Sequence, residues 1–132
     1  MVIATKKEQC WKHGDIAKLT KAPPDYLSKV LQALARADLI KSQRGAHGGF
    51  SLLKDPSDIS LLEVVNAVEP IKRIKKCPLG LKAHGTRLCP LHKKLDKSLE
   101  ETEKAFASTT LDDLLTESQT SPSRPCDFPI VS

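Results

Sequence analysis

Pro23-Pro24-Asp25-Tyr26-Leu27-Ser28-Lys29-Val30-Leu31-Gln32-Ala33-Leu34-Ala35-Arg36, continued by Leu39-Ile40-Lys41-Ser42-Gln43-Arg44-Gly45-Ala46-His47-Gly48-Gly49-Phe50-Ser51-Leu52-Leu53-Lys54, is the stretch that decides the fold. Proline suits the first turn of a helix, where its missing N–H would have had no partner, and is excluded from the interior, so a helix begins at the paired prolines. Leu27, Val30, Leu31 and Leu34 recur at helical spacing with Tyr26 and Ala37 on the flanks, which predicts one buried stripe. Asp25, Ser28, Lys29, Gln32 and Arg36 then face outward. They are short to medium hydrogen-bonding side chains, of the kind that reach base edges in a DNA major groove. Any amphipathic helix shows water a polar face, so this helix alone decides nothing.

The segment beyond the helix is more specific. Residues 39–43 and 50–54 read as two strands, and residues 44–49 between them hold Gly45, Gly48 and Gly49. Glycines permit positive φ and close backbone approach, which suits a hairpin tip pressed against a phosphate backbone or minor groove. Arg44 stands at that tip beside His47, with Lys41 and Lys54 at the roots, positions of an electrostatic anchor rather than of a core. A helix running into a basic, glycine-tipped hairpin is the winged helix-turn-helix arrangement. The expected fold is mainly α, a winged helix-turn-helix with a two-stranded wing and a C-terminal dimerisation helix. The DNA-binding candidates are Asp25, Ser28, Lys29, Gln32, Lys41, Arg44 and His47.

The chain has 132 residues, 39% of them hydrophobic, enough for one modest domain and an added helix. Charge is unevenly spread. Residues 1–54 hold ten Lys and Arg against four Asp and Glu, while residues 91–132 hold five against eight, within a net charge of +5. A basic front half and an acidic helical back half predict a polyanion partner for the first and a protein partner for the second. No apolar run approaches membrane-spanning length and no signal-peptide block precedes the domain, so no membrane contact and a cytoplasmic location are expected. In a reducing compartment the cysteines point to metal or redox chemistry rather than to disulfides.

Along the chain, residues 1–12 are poorly patterned, and His13 to Thr20 reads as a short positioning helix with Ile16, Ala17 and Leu19 inward. Ser60 with Glu63 forms a capping box for a helix carrying Leu61, Leu62, Val64, Val65 and Val68, stopped by Pro70. Residues 71–89 form a cysteine-containing loop. Pro90 opens a long helix whose narrow stripe of Leu91, Leu95, Leu99, Thr102 and Phe106 wants a partner, expected to be a second copy of the chain. Thr110 with Asp113 caps one further turn to Leu115, and the Ser-, Thr- and Pro-rich residues 117–132 are expected to be disordered. Expected domains are therefore residues 1–70 for DNA binding, 71–89 for the loop, 90–116 for dimerisation and 117–132 for the tail.

Cys77 and Cys89 stand on either side of a loop containing Gly80 and Gly85, and His92 follows Cys89 by one helical turn. Two thiolates and an imidazole suit an iron-sulfur cluster or zinc, and Lys75, Lys76, Lys82 and Arg87 would support an anionic group. His84 or a residue of a partner subunit could supply a fourth ligand. Two incidental cysteines and a capping histidine would give the same spacing. Cys10 and Cys126 read as incidental.

Asp15-Ile16-Ala17, Tyr26-Leu27-Ser28-Lys29-Val30-Leu31, Arg44-Gly45 with Gly48-Gly49-Phe50, Ile59-Ser60-Leu61-Leu62-Glu63-Val64-Val65, and Cys77 with Cys89-Pro90-Leu91-His92 together resemble the Rrf-two (Rrf2) family. That family includes the iron-sulfur regulator IscR and the nitric-oxide sensor NsrR. The resemblance spans about residues 15–115 and implies a dimeric winged-helix transcription factor, often a repressor. It also implies a cluster-binding loop, with a two-iron, two-sulfur cluster favoured, just before the dimerisation helix. Members usually open with a longer amphipathic helix than the segment ahead of Asp15, so the first helix is expected to be shortened. Cluster-binding relatives also place three cysteines before the histidine, and the middle position here is Ala83. The expected function is a sequence-specific transcriptional regulator, probing redox, iron-sulfur or nitric-oxide status through Cys77, Cys89 and His92. The alternative is a small metal- or cluster-carrying protein without DNA specificity, which leaves the wing and the basic front half without a use. No acid, base and nucleophile stand in catalytic spacing, so no enzyme is expected.

Overall fold

In the computed structural model, residues 1–6, 9–80 and 87–120 are described. Pro24 takes the first turn of helix α2 (Pro24–Arg36), as the prolines require, and the helix buries Leu27 and Leu31 while Val30 and Leu34 are half-buried. It ends where the Ala37 N–H donates to the Ala33 carbonyl and the Asp38 N–H to the Ala35 carbonyl, with Asp38 turning left-handed at φ 53°. Asp is among the residues that tolerate that conformation. Ahead of it, helix α1 (His13–Thr20) contributes Ile16 and closes on Lys21, also left-handed. The two helices meet through Ile16, Leu27 and Leu31, with Ala17 and Leu19 packed against them.

The wing is an antiparallel pair, β1 (Ile40–Gln43) and β2 (Gly49–Leu52), in the register Ile40 to Leu52 and Gln43 to Gly49. A one-residue bridge that periodicity does not reveal flanks it. Trp11 exchanges both backbone hydrogen bonds with Phe50, each 2.8 Å, and is 4% exposed. Gly49 lies against this bridge so closely that a Cβ there would sit 2.6 Å from the Trp11 carbonyl oxygen. The stretch that is poorly patterned in sequence therefore supplies part of the core: Val2, Ile3 and Ala4 form a buried 3-10 turn, and Trp11 ties the wing to it. Its apolar residues show no helical or strand period because they sit in a single turn and a one-residue bridge.

A second buried cluster joins Ala4, Leu39, Ile59 and Leu111, and Leu34 and Leu52 pack against both clusters. Helix α3 (Leu61–Val68) starts with the expected capping box, Ser60 accepting from the Glu63 N–H at 3.2 Å while the Glu63 carboxylate accepts from the Ser60 N–H at 2.8 Å. Helix α4 (Pro90–Ser108) comes after the loop, and α5 (Leu111–Thr120) returns to the domain, Leu111 donating to the Ile59 carbonyl at 3.0 Å and filling the second cluster. The Thr110 and Asp113 cap is present, but the helix it opens runs on to Thr120 instead of stopping after one turn. The expected disordered tail thus begins with helical residues, and its remainder, 121–132, lies outside the described residues. No described helix is long and apolar enough to cross a membrane.

Candidate nucleic-acid interface and cysteine loop

Helix α2 presents Asp25, Lys29, Gln32 and Arg36 outward as the periodicity predicts. Two positions differ. Tyr26, assigned to the flank of the buried stripe, is 59% exposed and joins the outward face. Ser28, assigned as a free outward reader, is half-buried and engaged: its hydroxyl donates to the Pro24 carbonyl at 3.0 Å and lies 3.0 Å from Nε2 of His13. With its one proton on Pro24, the Ser28 oxygen is left to accept from His13. The hydroxyl thereby links the first turns of α1 and α2, a contact that spacing could not signal because the two residues are fifteen apart.

At the wing, Lys41, Ser42, Gln43, Arg44, Gly45, Ala46 and His47 are all exposed. Gly45 has φ +110°, a conformation that favours glycine, and its carbonyl accepts from the Gly48 N–H at 2.9 Å to close the tip. A Cβ on Gly48 would collide with the Gln43 carbonyl, so the tip requires both glycines. Among the described residues Lys29, Arg36, Lys41 and Arg44 have no anionic partner, which leaves four cations free for phosphate on the outward helix face and the wing. Lys54, read as a second root anchor, instead lies 3.7 Å from Glu63 of the α3 cap. The Glu63 carboxyl is held below its ordinary value chiefly by the Ser60 hydrogen bonds, so it stays ionised beside Lys54 at neutral pH.

Around the cysteine loop, Cys89 occupies the position just before α4 and its sulfur lies 3.2 Å from Nδ1 of His92, the contact expected from their one-turn spacing. Cys77 is half-buried on the other arm of the loop. Among the described residues no three His, Cys, Asp or Glu side chains converge as a metal site. Cys77 is thus not brought to the Cys89 and His92 pair within this chain, and Ala83 and His84 lie outside the described residues, as does Cys126. Cys10 lies half-buried 4.0 Å from the Gln43 side chain, beside the wing.

Helix α4 buries none of its own residues. Leu91 and Leu95 are 63% and 46% exposed, and Leu99 and Phe106 are half-buried. Its other face meets the loop through Arg73, which no motif singles out. Arg73 donates from Nε and Nη2 to the two oxygens of Asp96, both at 2.7 Å, and from Nη1 to Glu103 at 3.3 Å. No sequence spacing signals this contact, since the partners are twenty-three and thirty residues apart.

Positioning helix, outward-facing second helix and glycine-tipped basic hairpin, tied by a one-residue bridge, define a winged helix-turn-helix protein of the DNA-binding regulator class. The model of the Rrf2 family, described as iron-dependent transcriptional regulators, matches residues 1–117, and the chain belongs to that family. YwnA of Bacillus subtilis, described as a helix-turn-helix type transcriptional regulator, is 32% identical over 108 residues, which is 76% of this chain and 77% of that protein. A regulator of the same description from Aquifex aeolicus is 27% identical, over 86% of this chain and 81% of its own. Among solved structures, CymR, the global cysteine regulator of B. subtilis, superposes with a TM-score of 0.69 at 26% identity, covering 87% of this chain and 85% of that one. IscR of T. potens superposes equally well at 0.69, with 23% identity over 89% of this chain and 77% of that one, a likeness of fold.

Proposed function

We propose that this chain is a homodimeric, sequence-specific DNA-binding regulator, acting as a repressor, that reads double-stranded DNA with α2 and the wing and senses redox, iron-sulfur or nitric-oxide status through the loop between Cys77 and Cys89. The observation that carries the DNA reading is the set of cations with no anionic partner among the described residues, Lys29 and Arg36 on the outward face of α2 and Lys41 and Arg44 on the exposed wing. Asp25, Tyr26, Lys29 and Gln32 are the base-reading candidates. Ser28 contributes by holding the first turn of α2 to His13, and His47 lies on the wing tip beside Arg44. One recognition helix covers too few base pairs to discriminate among genomic sites, which favours two copies. The exposed Leu91 and Leu95, with Leu99 and Phe106, are the surface that a second copy would cover.

The donor chemistry of the loop suits a two-iron, two-sulfur cluster, which Cys77, Cys89 and His92 would hold together with one further ligand. When bound, such a cluster would supply a centre that oxygen or nitric oxide destroys. In this chain, Cys89 and His92 are already adjacent at 3.2 Å, and Cys77 is carried on the arm that leads into the loop. A small metal carrier would use the same three residues but leaves the free cations of the wing unexplained.

The test is binding to duplexes selected from a random pool, measured across a salt series, with iron, sulfide and zinc analysis of anaerobically purified protein. Arg44→Ala should weaken all sequences and make the salt slope shallower by about one ion contact, whereas Lys29→Ala should relax sequence preference. A protein that selects no sequence and binds duplex DNA independently of salt is not this regulator. Protein that binds DNA but contains neither iron nor zinc, and responds identically with Cys77 and Cys89 both replaced, retains the regulator reading and loses the sensor.

A further inference from the structure

Asp96, Glu100 and Glu103 fall on successive turns of one side of α4, a stripe of three carboxylates that would repel one another without a cation among them. Arg73 is that cation. Its planar guanidinium meets Asp96 in a two-point fork and reaches Glu103 at 3.3 Å and Glu100 at 3.7 Å. Asp96 is filled further by the backbone N–H of Ile74, 2.8 Å away, so the main chain of the arm is held as well as its side chain. Lys104, 2.9 Å from Glu100, completes the network on the helix side. The group is partly shielded, with 28% of the Arg73 side chain and 20% of the Asp96 side chain exposed. The carboxyl of Asp96 is held below its ordinary value first by Arg73, and that of Glu100 first by Lys104 and then by Arg73, so both are ionised at neutral pH.

The position of this clamp in the chain gives it a role. Cys77 lies four residues beyond Arg73, and Cys89 lies seven residues before Asp96, about two helical turns. Both ends of the cysteine loop are therefore fastened to the same stretch of α4, one through the helix itself and the other through Arg73. We infer that Arg73 is the positioning residue through which the state of the Cys77 to Cys89 loop is transmitted to α4. With the clamp closed, a change that draws the Cys77 arm toward Cys89 pulls on the side of α4 that carries Asp96 and Glu103. With it open, the arm moves alone. This rests on the reading of the loop as the sensor, and extends it by naming the coupling element.

The experiment uses the full chain with Cys10→Ser and Cys126→Ser, so that only Cys77 and Cys89 react, and bridges them with dibromobimane, which fluoresces once both thiols are joined. DNA affinity is measured by anisotropy before and after bridging, in this background and with Arg73→Met, Arg73→Lys or Asp96→Asn added. Bridging is expected to change affinity by at least about fivefold in the background protein, within the range of ordinary allosteric coupling. In Arg73→Met and Asp96→Asn the change should fall below about twofold while the unbridged affinity holds, Arg73→Lys should restore part of it, and the Ile74 amide should exchange faster in Arg73→Met. Retention of the full change in Arg73→Met, or an equally protected Ile74 amide, overturns the inference. A background protein that binds DNA but cannot be bridged, or is indifferent to bridging, overturns it together with the sensor reading. One that binds no duplex at all removes the proposed function first.

Discussion

Replacing Gly49 by alanine tests whether the wing is held by the Trp11 bridge. The new Cβ would stand 2.6 Å from the carbonyl oxygen and 2.8 Å from the carbonyl carbon of Trp11, both backbone atoms that cannot swing aside, and the residue has φ +153°. Relief requires separating Trp11 from β2, which breaks the reciprocal 2.8 Å bonds between Trp11 and Phe50. Each bond contributes about 1 kcal/mol net. A disfavoured backbone conformation adds on the order of 1 kcal/mol or more, so a loss of about 3 kcal/mol is expected. The measurement is direct because Trp11 is the single tryptophan and is buried, so its emission reports this contact through a urea titration. For a slope of about 2 kcal/mol per molar urea the midpoint should fall by about 1.5 M. Gly45→Ala is the control: it also has a positive φ, +110°, but nothing within 4 Å of its Cβ, so it should lose only the backbone component, about 1 kcal/mol. Affinity for every DNA sequence should drop in Gly49→Ala, because Lys41 and Arg44 ride on the displaced hairpin. A midpoint within about 0.3 M of the parent, with unchanged emission, would refute the claim that this bridge anchors the wing.

Other parts of the molecule yield three more expected outcomes. Leu99→Glu places a charge in the half-buried stripe of α4 and should give monomers by light scattering that bind a two-fold site at least about tenfold more weakly; a monomeric parent would remove the dimer reading. Cys89→Ala should abolish bound metal while leaving the urea midpoint of the metal-free protein unchanged, since no described thiol belongs to either buried cluster; metal content equal to the parent's would exclude Cys89 as a ligand. The Arg73 clamp should depend on pH with a definite sign. Asp96 is depressed below its ordinary value of 3.8 in the folded chain, so the clamp's contribution is present in full above that value and is lost as pH falls through the lower folded value. Exchange at the Ile74 amide, corrected for its intrinsic rate, should stay constant from pH 7 to about pH 4.5 and rise only below that, and a rise near pH 6 would mean that another group controls the arm.

The features legible in the sequence are those whose information is local. Paired prolines start α2, apolar residues three and four apart define its buried stripe, Ser60 with Glu63 and Thr110 with Asp113 cap two helices, and Gly45 and Gly48 shape a hairpin tip. Each depends on residues within one or two turns, so backbone geometry links spacing directly to structure. Tertiary structure alone determined the rest. Trp11 forms a one-residue bridge because Phe50, thirty-nine positions later, offers it an edge, and Leu111 completes a core begun by Ala4, Leu39 and Ile59. Tyr26 has the apolar character of a flank but is exposed, while Ser28 has the polarity of a reader but is occupied by His13. Arg73 among the loop lysines looks like one more solvated cation until folding sets it among three carboxylates of α4. In each case the deciding energy comes from hydrogen bonds and burial between segments distant along the chain, and no periodicity encodes which of them meet.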